Sequence, residues 1–471
     1  MRFLFVCLLL CGRAFAQESA YVPPTDTAVQ HKIAWWQDLK FGLLMHWGTY
    51  SQWGIVESWS ICPEDEGWTQ RKGPYAADYF AYKKAYENLQ TTFNPTAFDP
   101  TKWAAAAKAA GMRYVVFTTK HHDGFCMFDT KQTDYKITSS KTPFSTNPRA
   151  NVALEVFNAF RRQQFGIGAY FSKPDWHDND YWWSYFPPKD RNVNYDPAKY
   201  PDRWQRYKDF TYNQIQELMS GYGHMDILWL DGGWVCPDTP NKAPHYNQDI
   251  DMARIASMAR GLQPGLIVVD RAVGGPYENY RTPEQQIPTH PLSYPWETCM
   301  TMGDSWSYVP GDHYKPASQL VHILVRIVAW GGNFLLNIGP SPQGDWDPVA
   351  YDRLREIGAW MNINGNAIYG SRMVAPYGRD RLYYTRSADS ATTYAFYLSP
   401  DGEDRVVLPE TVVLSGFTAP AGSHVVLQGT RRKIAWKVSG SDTELIIPKD
   451  LQGKPVGKYA VVFAIKGSAH E

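Results

Sequence analysis

Between Phe41 and Gly370, short apolar runs alternate with amphipathic stretches, and this alternation limits the possible folds more than any other feature of the chain. The runs Phe41–Met45, Tyr114–Thr119, Ile167–Phe171, Asp226–Leu230, Leu266–Val269 and Phe334–Ile338 have the length and burial character of strands. Several stretches between them carry helix punctuation. Around Trp103–Ala110, Asp99 can cap, Pro100 fits the first helical position and Gly111 suits a left-handed stop. Ala317–Trp330 and Tyr351–Asn362 also read as helices. Strand–helix alternation over about 330 residues predicts an α/β fold, a parallel-strand barrel of the (β/α)8 type. A doubly wound open sheet gives the same alternation, but no glycine-rich phosphate loop follows the first run, which weakens its nucleotide-binding version.

After Gly370 the pattern changes. Leu382–Thr385, Thr393–Leu398, Arg405–Leu408, Val425–Leu427, Ile434–Val438, Glu444–Ile447 and Tyr459–Ile465 are short, β-rich and separated by turn residues. This predicts a C-terminal antiparallel β-sandwich over 371–471, following a catalytic barrel over 17–370. No repeat or low-complexity linker separates the two, so they are expected to pack tightly. At the N-terminus, Arg2 precedes the apolar stretch Phe3–Leu10, and Ala14-Phe15-Ala16 fits a small-x-small cleavage site. Residues 1–16 therefore read as a signal peptide, its apolar part too short to span a membrane. Export to a periplasm or the extracellular space follows, or to a lysosome-like compartment in a eukaryote. Cys62, Cys126, Cys236 and Cys299 are far apart and form no Cys-x-x-Cys pair. Buried thiols are expected, with one disulfide open to an exported chain.

Acidic and basic residues number 47 each, so nothing points to nucleic acid or another polyanion. No other segment is apolar enough for a membrane span. Aromatic residues make up 15% of the chain. Core packing accounts for such an excess. So does sugar binding, because flat rings stack on the C–H faces of pyranoses.

Polar residues recur just after the apolar runs: His46 and Trp47, then His121, His122 and Asp123, then Asp231 and Arg271, with Tyr170 near the end of Ile167–Phe171. In a (β/α)8 barrel the carboxyl ends of the strands share one mouth, where active sites lie. One pocket is therefore expected to gather histidines, a tyrosine, an arginine and carboxylates. Asp231 follows a buried run and precedes Gly232 and Gly233, a setting that fits a turn as well as an exposed reactive carboxylate. Its place at the barrel mouth favours the second.

Five motifs then carry a resemblance. They are Phe41-Gly42-Leu43-Leu44-Met45-His46-Trp47-Gly48; Thr119-Lys120-His121-His122-Asp123-Gly124-Phe125; Gly168-Ala169-Tyr170-Phe171-Ser172 with Asp175-Trp176; Trp229-Leu230-Asp231-Gly232; and Asn333-Phe334-Leu335-Leu336-Asn337-Ile338-Gly339-Pro340. From about Ala34 to Arg372 the chain resembles glycoside hydrolase family 29, the retaining α-L-fucosidases. The resemblance implies an exo-acting enzyme on fucosylated oligosaccharides or glycoconjugates, with no cofactor and no metal. It implies Asp231 as nucleophile and a second carboxyl group as acid/base. Glu284, thirteen positions after Arg271, is the first choice for that acid. Glu297 is the rival, with anchoring a strand end or holding the sugar as its plainer role, and Glu278 ranks third. His46, His121, His122, Tyr170 and Arg271 resemble the family's fucose-binding groups. Glu57 and Trp59 resemble its acidic–aromatic pair, here split by Ser58. Fucose carries a methyl where other hexoses carry a hydroxymethyl, so an apolar wall is needed. Trp306 is the candidate, with ordinary core as its other reading.

Two competing readings remain open. His46, His121, His122 and Asp123 admit a metal site, although neither their spacing nor a second ligand cluster favours one. A binding-only relative is the other, and the presence of Asp231 with two candidate acids weighs against it. Linkage preference and oligomeric state are not readable from the pattern.

Overall fold

A computed structural model describes residues 20–63, 70–238, 246–430 and 432–467. The expected signal peptide at 1–16 lies outside the described residues. Seven parallel strands form the first sheet: β1 (Phe41–Met45), β2 (Tyr114–Lys120), β3 (Gly166–Ser172), β4 (Ile227–Asp231), β5 (Ile267–Asp270), β6 (Glu297–Thr301) and β7 (Asn333–Asn337). Their order is β5-β4-β3-β2-β1-β7-β6, so the last strands fold back beside the first and the sheet curls into a barrel. Among the described residues eight α-helices accompany it: α1 (Thr27–Leu39), α2 (Tyr79–Glu87), α3 (Pro100–Ala109), α4 (Val152–Arg162), α5 (Pro201–Gly221), α6 (Met252–Leu262), α7 (Ala317–Ala329) and α8 (Pro348–Asn364). The capping reading of α3 holds: Asp99 accepts from the amides of Thr101 and Lys102, and Gly111 adopts φ +89°.

The (β/α)8 expectation needs one amendment. Between β5 and β6 no regular strand forms among the described residues. Isolated bridges Val269↔Glu278, Arg281↔Trp296 and Glu284↔Cys299 let the irregular segment 278–285 close the gap as an eighth stave. Pro283 has no amide to give a ladder, and Gly274-Gly275-Pro276 turns the chain just before it. The stave runs up the barrel wall and delivers Glu284 to the mouth. β6 itself was not foreseen.

Inward-facing residues fill the barrel. Trp36 of α1 plugs the amino end, stacked on Tyr280 at 4.0 Å and near Tyr114. Leu44, Val116, Trp229, Cys299 and Leu335 form the layer above. These side chains are buried and contiguous, so they form a packed core and not a channel.

Beyond α8 lies an eight-stranded antiparallel sheet built from β8 (Arg372–Arg379), β9 (Leu382–Arg386), β10 (Thr392–Leu398), β12 (Thr411–Leu414), β13 (His424–Leu427), β14 (Lys433–Ser439), β15 (Asp442–Ile446) and β17 (Ala460–Lys466). A two-stranded piece pairs β11 (Arg405–Val407) with β16 (Pro455–Lys458). β8, β12 and β16 were not foreseen. The sheet wraps a core of its own that includes Tyr384, Val412, Leu414, Leu427 and Phe463. It packs on the barrel through α7 and α8. His322 pairs with the Tyr459 carbonyl at 2.9 Å, and the Trp360 indole donates to the Ala460 carbonyl at 2.8 Å. α7 is buried on nearly every face because the sheet covers the side that barrel helices usually leave to water. Cys62, Cys126, Cys236 and Cys299 are all buried, and none is joined to another of the four. No helix among the described residues is long and apolar enough to cross a membrane.

Candidate active site

A cavity of about 600 Å³ opens at the carboxyl ends of the barrel strands. His46, Glu57, Trp59, His121, His122, Tyr170, Asp231, Arg271, Glu284 and Trp306 all line it. Glu297 and Glu278 do not. Glu297 lies below the floor at the start of β6, fully buried, where Tyr114 donates to it at 2.5 Å and Trp229 at 3.3 Å. Burial pushes it up to about 7, with hydrogen bonds from Tyr114 and Trp229 opposing. Glu278 accepts from the amides of Ala272 and Gly274, both at 2.8 Å, and pairs with Arg281, so it fixes the turn after β5.

Asp231 closes β4, where the strand alternation turns it inward. Tyr170 donates its hydroxyl to Oδ2 at 2.6 Å, and Arg271 donates to Oδ1 at 3.0 Å. Burial alone would raise this carboxyl. The Arg271 charge and the Tyr170 hydrogen bond outweigh it and hold Asp231 far below the usual carboxylate range. It is therefore ionised at any working pH. Arg271 follows β5 and also reaches Glu284 through Nη2, so one guanidinium joins both carboxylates. Two ordinary hydrogen bonds and the width of a guanidinium limit the span between the carboxyl groups to about 8 Å. Glu284 keeps 42% of its side chain exposed, on the open side of the cavity.

The three histidines are held neutral. His46 follows β1, and its Nδ1 meets Asn337 Oδ1 at 2.8 Å, so Nδ1 carries the proton and Nε2 is left as an acceptor. Burial lowers it to about 4, against the opposing pull of Asn337 and Asp231. Ser172 donates its hydroxyl to the Pro174 carbonyl at 2.6 Å, so His122 Nδ1, 2.7 Å away, must donate to Ser172. The Nε2 of His122 then faces Asp231 at 3.7 Å without a proton. Burial lowers His122 to about 4 as well, and it lowers His121 well below its ordinary value. The Ser58 that splits the acidic–aromatic pair contacts His121 Nδ1 at 2.5 Å, so the extra residue has a contact of its own.

Glu57 is buried, and its Oε2 has no partner among the described residues. Burial, reinforced by the charges of Glu284, Asp231 and Asp123, pushes it up to about 8. It is a neutral acid at pH 7 that can donate one hydrogen bond into the cavity. Trp59 meets His122, Trp176 and Trp234 edge to face, at 5.3–5.7 Å. Trp306 sits 5.1 Å from the His46 ring. Leu44 and Cys299 line the same cavity, so apolar surface is present there for a methyl group.

Several lining residues were not foreseen: Leu44, Val56, Arg191, Trp229, Trp234, Cys299, Asp304 and Ser305. Leu44 and Trp229 stand two positions before His46 and Asp231, on the same strand faces, so alternation alone would have found them. Arg191 lies across the faces of Trp59 and Trp234, at 4.8 and 5.4 Å. It comes from the long β3–α5 connection, where sequence offers no periodicity to read.

A cation, if one bound, would find ligands at His121, His122 and Asp231, whose atoms lie within 4.8 Å of one another. Asp231 is already engaged by Tyr170 and by the positive Arg271, which opposes a second positive charge beside it.

The chain was compared with known proteins. It matches the alpha-L-fucosidase family profile over residues 8–366. Plasma alpha-L-fucosidase of Rattus norvegicus is 27% identical over 474 residues, covering 94% of each chain. An alpha-L-fucosidase of Branchiostoma floridae is 26% identical over 491 residues, covering 98% of this chain and 99% of that one. Among solved structures, alpha-L-fucosidase isoenzyme 1 from Paenibacillus thiaminolyticus superposes with a TM-score of 0.74 at 30% identity, covering 93% of this chain and 99% of that one. A Bacteroides thetaiotaomicron alpha-L-fucosidase, trapped as a covalent intermediate with 2-fluoro-fucosyl fluoride, shares the fold with a TM-score of 0.71 at 22% identity, covering 95% and 98%. With a family match across the whole barrel and a cavity that gathers the expected side chains, the chain belongs to the alpha-L-fucosidases, glycoside hydrolase family 29.

Proposed function

We propose that this alpha-L-fucosidase is an exo-acting, retaining enzyme with Asp231 as nucleophile and Glu284 as acid/base. The observation that carries the assignment is the Arg271 guanidinium, which bonds Asp231 on one side and Glu284 on the other at the cavity mouth. The span this allows includes the roughly 5–5.5 Å of retaining glycosidases. The floor of Leu44, Trp229 and Cys299 closes the cavity below, so a sugar enters end-on and only a terminal residue fits.

In the first step an Asp231 oxygen attacks the anomeric carbon as the glycosidic C–O bond breaks. Glu284 gives its proton to the departing oxygen, which leaves on the exposed side. In the second step Glu284, now a carboxylate, takes a proton from water. The water oxygen attacks the same carbon, and the ester bond breaks to return Asp231. The transition state is positively charged at the sugar ring. Neutral His46, His121 and His122 fit this demand, because three imidazolium ions there would oppose it. Their ring nitrogens, with the Glu57 acid and the Trp59 indole, supply the donors and acceptors for fucose hydroxyls. Trp306 supplies the wall for the methyl.

We further propose export through residues 1–16 and a two-domain division at 370/371. A plasma alpha-L-fucosidase among the relatives supports the first.

The test uses purified wild-type, Asp231→Ala and Glu284→Ala enzymes on an aryl α-L-fucoside, with azide added to each variant. Azide is expected to give β-fucosyl azide in Asp231→Ala, by direct displacement. It is expected to give α-fucosyl azide in Glu284→Ala, by attack on the covalent intermediate. Unimpaired turnover in Glu284→Ala would remove it from the acid/base role.

A further inference from the structure

Glu297 has no exposed surface and sits one layer beneath the cavity. A carboxyl group in such a place is costly unless donors meet it. Two do, from different staves of the barrel: the Tyr114 hydroxyl on β2 at 2.5 Å and the Trp229 indole on β4 at 3.3 Å. Both donors are held. The ring of Tyr114 occupies the space that Gly42 leaves by having no side chain, since a methyl there would collide with it. Tyr280 and Trp36 lie close enough to favour the charged carboxylate.

Trp229 connects this buried group to the cavity. One face of its indole stacks on Tyr170, with ring centres 5.2 Å apart and planes 23° apart. The Arg271 guanidinium lies over the ring at 5.2 Å. Tyr170 and Arg271 are the two residues that donate to Asp231, and Arg271 also holds Glu284. An indole can swing about two side-chain bonds, and its N–H bond to Glu297 removes that freedom.

We infer that Glu297 is a positioning residue for the reaction: it locks the Trp229 indole as a plate beneath Tyr170 and Arg271, and through them sets the placement of Asp231 and Glu284. The inference rests on the assignment of those two carboxylates as the reacting pair. A purely structural role would not require a carboxylate here, because well-packed apolar residues in place of a buried polar cluster are often neutral or stabilising.

The test compares Glu297→Gln, Glu297→Leu, Trp229→Phe and the Glu297→Leu/Trp229→Phe pair in the full-length enzyme. Each is checked for a cooperative melt, then assayed on aryl α-L-fucosides whose leaving phenols differ in acidity, with and without azide. Glu297→Leu is expected to lose about ten- to hundredfold in kcat, KM moving less, since small misplacements of reacting groups cost this much. The loss is expected to be equal for good and poor leaving groups and unrescued by azide. Glu297→Gln, which keeps an acceptor for the indole, is expected to recover most of it. Trp229→Phe is expected to lose a similar factor, and adding Glu297→Leu to it should cost little more.

Full kcat in a folded Glu297→Leu enzyme, or additive losses in the pair, would overturn the inference. So would a loss that vanishes with the best leaving group and α-fucosyl azide formed on azide addition, which would make Glu297 the acid/base in place of Glu284. If Glu284→Ala alone proves unimpaired while the Glu297→Leu loss is independent of leaving group, the assignment of Glu284 fails and the positioning role is cut back to Asp231, which Tyr170 and Arg271 hold directly. Should Glu297→Leu not fold, Trp229→Phe and Tyr114→Phe decide: undiminished kcat in both would rule the role out.

Discussion

Arg271 donates to Asp231 at 3.0 Å, and the other arm of the same guanidinium reaches Glu284. Each carboxylate is thus placed relative to the other by a rigid, planar group and not by backbone alone. A lysine carries the charge but is a point donor on a flexible stem, and it cannot hold both groups at fixed angles. Arg271→Lys is therefore expected to lower kcat on an aryl α-L-fucoside by about two to three orders of magnitude while the protein stays folded. Steady-state kinetics with a thermal melt would check this, and a variant within tenfold of wild type would contradict it.

Glu57 gives a pH prediction with a definite sign. Its pKa is raised from 4.5 to about 8, chiefly by burial. The folded protein holds that proton more tightly than the unfolded chain does. The stability it contributes is whole below pH 4.5 and is lost as pH rises through about 8. Glu57→Gln keeps a donor but cannot ionise. Between pH 4.5 and 8 the melting temperature of wild type should fall relative to that of Glu57→Gln. The wild-type kcat/KM should also decline near pH 8, as a new negative charge appears beside Asp231, and this limb should weaken in the variant. Superimposable pH profiles for the two proteins would argue against a neutral Glu57.

The histidines act in the opposite direction. His46 and His122 are both lowered from 6.5 to about 4, first by burial. Below pH 6.5 the unfolded chain takes up protons that the folded protein refuses, so stability is lost as pH falls from 6.5 toward 4. His122→Gln is expected to flatten the dependence of the urea midpoint on pH across this window. Equal slopes for wild type and variant would mean that His122 is already charged when folded.

Much of this site was legible because strand ends announce themselves. His46 and Asp231 each directly follow an apolar run, and Arg271 comes one residue after another, so a barrel reading brings them to one mouth. β6 escaped notice because its inward positions are Glu297, Cys299 and Thr301, which break the apolar signal of a buried strand. The stave 278–285 escaped because it makes only isolated bridges, and its proline leaves no ladder to predict. Spacing from Arg271 ranks Glu284 before Glu297 in the sequence, and depth separates them in the barrel, since Glu284 lines the cavity and Glu297 is buried beneath it. Arg191 was hidden by distance along a loop, since contact across the Trp59 and Trp234 faces has no local pattern.

Trp306, next to His46, lines the cavity, and its ring carbons, the proposed wall for the methyl, offer no hydrogen bond to an added hydroxyl. α-L-Galactosides differ from α-L-fucosides by that one hydroxyl, on the methyl. Burying it unpaired costs about 1–3 kcal/mol, so wild type should favour the fucoside by roughly five- to 150-fold in kcat/KM. Trp306→Ala should open the wall to water and narrow this ratio, largely by weakening use of the fucoside. If the ratio is unchanged in the variant, the methyl packs elsewhere in the cavity.

Lys173 and Asp270 form an ion pair at 2.5 Å with almost no exposed surface, at the ends of β3 and β5. The Lys173 ammonium also donates to the Val235 carbonyl at 2.8 Å, and its amide donates to the carbonyl of Asp231 at 2.9 Å. Asp270 is the residue before Arg271. The pair thus ties together the strand ends on either side of β4, and Asp231 lies between them. Breaking a buried pair leaves a charge without compensation, at about 3–5 kcal/mol, whereas replacing both partners with apolar residues is often neutral. Lys173→Met is expected to lower the unfolding free energy by that amount, and Lys173→Met/Asp270→Leu to restore a large part of it. Activity separates the two jobs of the pair. If it serves only to neutralise buried charge, the double variant regains both stability and kcat. If it also sets the spacing of Asp231 and Arg271, stability returns while kcat stays low. Urea unfolding and steady-state kinetics on the same preparations would tell these apart, and a single variant as stable as wild type would contradict the buried-pair argument altogether.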